Sequence, residues 1–108
     1  MAVTAAGVRE VIDDSLDLLK GQDDGTDAQG LVSRLESVRS VLIRNQKKIW
    51  LRTKKGRGVL AEVSAAADRL KESFASGDID VVEGALIEVE ALVKAIEEES
   101  RKRSMVVT

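Results

Sequence analysis

Residues 31–50 read Leu31-Val-Ser-Arg-Leu35-Glu-Ser-Val38-Arg-Ser-Val-Leu42-Ile-Arg-Asn45-Gln-Lys-Lys-Ile49-Trp50. Leu31, Leu35, Val38, Leu42, Asn45 and Ile49 recur at steps of four, three, four, three and four. An α-helix turns once every 3.6 residues, so this rhythm gathers the six side chains on one seam, as in helix-to-helix packing. Val32, Val41, Ile43 and Trp50 widen the apolar surface beyond that seam. A stripe of this width suits contact with more than one neighbouring helix. Asn45 is the one polar member; it is either satisfied inside a bundle or fixes the register of an oligomeric coiled coil. The pattern predicts a long second helix over residues 28–53.

The same rhythm extends in both directions. Upstream, Val8, Val11, Ile12, Leu16, Leu18 and Leu19 predict a first helix over 5–20, with Thr4 as its N-cap and Gly21 ending it. Residues 21–27 are a loop by composition, and Thr26 or Asp27 is placed to cap the second helix. Downstream, Lys54-Lys-Gly-Arg-Gly58 carries two glycines and reads as a tight reversal between antiparallel neighbours. Leu60, Val63, Ala67, Leu70 and Phe74 predict a third helix over 59–76. A turn at 76–80 follows, where Asp80 and Glu83 have capping-box spacing. Val82, Ala85, Val89, Leu92 and Ile96, flanked by Leu86 and Val93, predict a fourth helix over 81–103.

Four amphipathic helices on short loops imply an all-α fold, a four-helix antiparallel up-down bundle whose long second helix carries a basic end. The alternative is a pair of helical hairpins that completes its core by dimerisation. Residues 1–104 form a single helical domain in this reading, with 105–108 as a frayed tail.

Composition supports helices. The 108 residues include no Pro, Cys, His or Tyr, and Trp50 and Phe74 are the only aromatics. Proline would interrupt helices, and sheets favour aromatic side chains. Hydrophobic residues at 44% beside charged residues at 33% argue against disorder, which needs low hydrophobicity. No apolar run approaches the roughly 20 residues of a membrane span, and the first residues lack the pattern of a secretory signal. A cytoplasmic location is the default expectation.

The net charge of −2 conceals a segregation. Residues 1–27 hold two bases and seven acids, 28–57 hold nine bases and one acid, and 58–108 hold six bases and eleven acids. An acidic–basic–acidic chain of this kind points to an electrostatic partner surface.

Residue types narrow the chemistry. Without His or Cys there is no zinc site, no di-iron Glu-x-x-His motif and no Ser–His or Cys–His nucleophile. Asp23-Asp-Gly-Thr-Asp27 invites an EF-hand reading, but position 6 would be Ala28 and position 12 Arg34, where Gly and Glu are required. Gly56-Arg-Gly58 lacks the third glycine and the preceding strand of a phosphate loop. The small secreted helical proteins with a Trp-x-Gly motif share a mid-chain Trp, but Trp50-Leu51-Arg52 has no glycine and carries nothing over. The chain is therefore expected to be no enzyme and to use no catalytic residue, metal, cofactor or small-molecule substrate.

What remains is the basic segment, which reads either as a solvated face partly neutralised by the acidic first and fourth helices or as a binding surface. Arg44, Lys47, Lys48, Trp50, Arg52, Lys54, Lys55 and Arg57 are its candidate residues. On a continuous helix Arg44, Lys48, Arg52 and Lys55 would align along one side. Trp50 reads either as core packing or as an exposed anchor. The expectation is a non-catalytic assembly or adaptor protein that self-associates or docks an acidic protein partner. The alternative is a nucleic-acid-binding module in which the strip follows phosphates and Trp50 stacks on a base.

Overall fold

A computed structural model of the chain describes residues 4–22 and 26–106, without the side chains at 22, 26–28 and 104–106. Four helices are present: α1 (Ala5–Gln22), α2 (Thr26–Asn45), α3 (Lys54–Ser73) and α4 (Ile79–Val106). Short 3-10 turns at Ile49–Arg52 and Phe74–Ser76 precede α3 and α4. The acidic loop at 23–25, the capping side chains of Thr26 and Asp27, and the end of the tail at 107–108 lie outside the described residues.

Heptad-like burial drives the assembly. Val8, Ile12, Leu16 and Leu19 of α1 and Leu31, Leu35, Val38 and Leu42 of α2 are buried. So are Leu60, Val63, Ala67 and Leu70 of α3. Each large side chain taken fully from water contributes roughly 1.5–3 kcal/mol. In α4 the buried seam is Val82, Leu86, Val89, Val93 and Ile96, while Ala85 and Leu92 only flank it. The expected order of seam and flank is thus reversed there for two pairs. Four helices of one chain close this core, so no second copy is needed to complete it.

Successive helices run antiparallel, as ion pairs across them show. Arg39 of α2 donates to Asp13 of α1 at 2.5 Å, and Arg69 of α3 pairs with Glu88 of α4. Around the bundle, however, α1 packs on α2 and α3, and α4 packs on α2 and α3. The parallel neighbours are α1 with α3, where Asp14 meets Lys71, and α2 with α4, where Arg34 meets Glu90. Consecutive α2 and α3 therefore stand diagonally opposite, not side by side as a short reversal would place them.

The segment that crosses this diagonal differs most from expectation. Helix α2 stops at Asn45, eight residues before the predicted end at Thr53. Lys48 and Thr53 are both extended, with ψ of 129° and 168°, and they bracket the 3-10 turn at Ile49–Arg52. Thr53 then caps α3, its Oγ1 accepting from the Gly56 amide at 3.2 Å and donating to the Trp50 carbonyl at 2.6 Å. Lys54-Lys-Gly-Arg-Gly58 is consequently the first turn of α3 and not a reversal. Gly56 is needed for proximity: a Cβ there would collide with the Trp50 carbonyl and the Leu51 backbone. Ile49, predicted to end the apolar seam, instead points outward, 80% exposed. Trp50 and Leu51 enter the core in its place.

The remaining ends are closed by local hydrogen bonds. Thr4 Oγ1 accepts from the Gly7 amide at 3.0 Å, the expected cap of α1. Gly21 lies within the last turn of α1 and does not terminate it. Gly77 takes the left-handed conformation, φ 69°, where a side chain would be strained. Asp78, two residues before the expected Asp80, caps α4 by accepting from the Asp80 amide at 2.9 Å. Helix α4 continues to Val106, past the predicted start of the tail. No described helix is long and apolar enough to cross a membrane.

Candidate functional site

Because α1 and α3 begin where α2 and α4 finish, the connector lies at one end of a molecule measuring 48 × 29 × 18 Å. Almost all of the expected surface residues gather at that end, but they divide into three groups.

Trp50 belongs to the interior. Its ring is buried, its indole N–H donates to Ser100 Oγ at 2.8 Å, and the Arg103 guanidinium lies 5.2 Å from the ring centre. This is the core-packing alternative for Trp50; the burial leaves no open face on which a base could stack. Ser100 and Arg103 were not singled out in the sequence. Ser100 follows Ile96 by four residues and so continues the α4 seam, which is the signal that could have found it.

Arg44 and Lys55 are neutralised within the molecule. Arg44 Nη2 donates to Glu97 Oε1 at 3.1 Å, and Lys55 Nζ lies 3.5 Å from Glu99 Oε1. Glu97 also accepts from Asn45 Nδ2 at 2.8 Å, so the polar seam residue of α2 is satisfied inside the bundle. That Asn45 hydrogen bond holds the Glu97 carboxyl below its ordinary value of 4.5; partial burial opposes it, and Arg44 reinforces it. Burial likewise opposes the lowering of the Glu99 carboxyl, but Lys55 and Arg103 outweigh it.

Lys47, Lys48, Arg52, Lys54 and Arg57 form the third group. All five are exposed, and none makes an ion pair among the described residues. The break after Asn45 disperses the expected linear strip of Arg44, Lys48, Arg52 and Lys55. Instead, Lys47, Arg52 and Arg57 border a groove of about 530 Å³ floored by Ala5, Ala6, Leu51 and Leu60 and flanked by Thr4 and Gln46. Among the described residues no carboxylate lines it. Lys48 stands apart, beside Arg44, Glu97, Ser100 and Arg101.

The groove offers cations above an apolar floor. Chemically, cations favour anionic groups through long-range Coulomb forces, and an apolar floor favours burial of aliphatic side chains. Among the described residues no group of three or more potential metal ligands is present. Comparison with protein-family models, with curated proteins and with solved structures gives no match.

Proposed function

We propose that this chain is a non-catalytic docking module that holds an acidic, partly apolar protein segment at the connector end of its bundle. The observation carrying this reading is the groove bordered by Lys47, Arg52 and Arg57 with no carboxylate among the described residues that line it. Cations spared internal pairing keep their field for a partner, which raises association rate and selects against basic surfaces. The apolar floor supplies the shorter-range part of the attraction.

A labelled peptide of alternating Asp and Leu, followed by fluorescence anisotropy, tests it. Binding is expected at low salt, weakened at least about tenfold by Lys47→Glu/Arg52→Glu/Arg57→Glu, since each like-charge contact is unfavourable and such effects combine. Arg44→Gln/Lys55→Gln, which removes cations already engaged with Glu97 and Glu99, should change affinity far less. Absence of peptide binding at low salt would defeat the reading. Tighter binding of a single-stranded oligonucleotide than of the peptide, falling steeply with salt, would replace it with nucleic-acid recognition.

A further inference from the structure

The two ends of the bundle are opposites in charge, and both expose aliphatic side chains. At the connector end, Lys47, Lys48, Arg52, Lys54 and Arg57 are exposed, and so is the aliphatic Ile49, at 80%. At the other end, Asp78 caps α4 and Ile79-Asp-Val81 form the first turn of that helix. Ile79 and Val81 are 38% and 47% exposed there. Glu72, Asp78 and Asp80 at this tip are exposed and make no ion pair among the described residues. This tip thus has the chemistry that the groove suits, exposed carboxylates beside exposed aliphatic side chains.

We propose that the Asp78–Val81 tip of one molecule docks in the Lys47–Arg52–Arg57 groove of a second copy, so that the chain associates head to tail. This rests on the reading of the groove as a receptor for acidic segments. A contact between two different surfaces of the same molecule is heterologous, and one that does not close into a ring propagates as an open array. The extents of 29 and 18 Å across the bundle limit each end to roughly 500 Å². A junction then buries at most about 1,000 Å² in total, no more than a weak and reversible interface needs. Exposed charges on both sides make it sensitive to salt.

Complementation of two defective variants tests this. Lys47→Glu/Arg52→Glu/Arg57→Glu disables the groove and leaves the tip. Asp80→Lys/Val81→Ser disables the tip and spares Asp78, whose carboxylate caps α4. Circular dichroism establishes that both are folded, and Asp80→Asn serves as a milder tip variant should the double one unfold. Sedimentation velocity is run up to about 1 mM protein, in about 20 mM and about 300 mM salt. The wild type should grow past dimer with concentration at low salt and revert to monomer at high salt. Each variant alone should be monomeric, while an equimolar mixture should form a 1:1 dimer and nothing larger, because one competent junction remains between them. A wild type that is monomeric throughout, an association that neither variant disturbs, or a mixture that stays monomeric would overturn the proposal. Peptide binding by a monomeric wild type would leave the docking function standing while removing self-association.

Discussion

The Trp50 indole N–H donates to the Ser100 hydroxyl at 2.8 Å, fastening the segment that crosses the bundle to the last turns of α4. Both groups are buried, so neither has water as an alternative partner. Ser100→Ala should therefore cost about 1–3 kcal/mol, the penalty of a buried donor left without an acceptor. Ser100→Thr should retain most of that stability. Arg103→Ala should cost less, about 0.5–1 kcal/mol, as an exposed cation over an aromatic ring. Urea unfolding followed by fluorescence is unambiguous here because Trp50 is the only tryptophan.

Gly56 and Gly58 are two residues apart in the same helix, yet they should respond oppositely to alanine. A methyl at position 56 would enter the backbone of Trp50 and Leu51, so Gly56→Ala should force the connector away from α3 and destabilise by about 2–4 kcal/mol. Nothing lies within 4 Å of a methyl at position 58. Gly58→Ala should stabilise by about 0.5–1 kcal/mol through helix propensity alone. Thermal unfolding of the two variants side by side separates close approach from conformational freedom as the reason for each glycine.

This pair also shows why the connector was illegible in the sequence. Glycine spacing reads as a turn, because a one-dimensional pattern cannot distinguish a residue that needs unusual φ from one that needs an absent side chain. Gln46, Lys47 and Lys48 offer no local reason to stop a helix; all three are good helix formers. The stop coincides with two tertiary contacts, Asn45 with Glu97 and Trp50 with Ser100, and with the local capping of α3 by Thr53. The helices themselves were legible because burial repeats with the helical period, as at Leu31, Leu35, Val38 and Leu42. The basic end was legible from charge. Its division into paired Arg44 and Lys55 and unpaired Lys47, Arg52 and Arg57 depends on carboxylates some 50 residues away at Glu97 and Glu99.

Acidification should loosen the same end of the bundle. The Glu97 carboxyl, held below 4.5 chiefly by Asn45, binds fewer protons when folded than when unfolded in the interval between the two values. Its contribution is thus complete above the unfolded value and is lost as pH falls through the lower, folded one. Glu97→Gln should be less stable than the wild type at pH 7, and the difference should shrink from about pH 5 downward. Glu99→Gln should follow the same course, since Lys55 and Arg103 act on Glu99 in the same direction. Unfolding free energies measured across this range decide it: a wild-type advantage that persists unchanged at low pH would assign Glu97's role to packing and not to charge.

Ile49 and Leu51 give the sharpest test of where α2 ends. A helix running on from Asn45 would bury Ile49 four residues later and direct Leu51 toward solvent. With the extended residue Lys48 intervening, Ile49 is 80% exposed while Leu51 is buried between the groove and the core. Leu51→Ala should then cost about 2–4 kcal/mol, as the loss of a buried aliphatic side chain leaves a cavity. Ile49→Ser should change stability by no more than about 0.5 kcal/mol, the range of surface substitutions. Ile49 does not line the groove, so its replacement should leave peptide capture largely unchanged. Urea unfolding of the two variants that ranked Ile49→Ser as the more damaging would mean that α2 continues through the connector, and the groove bordered by Lys47, Arg52 and Arg57 would not exist in that form.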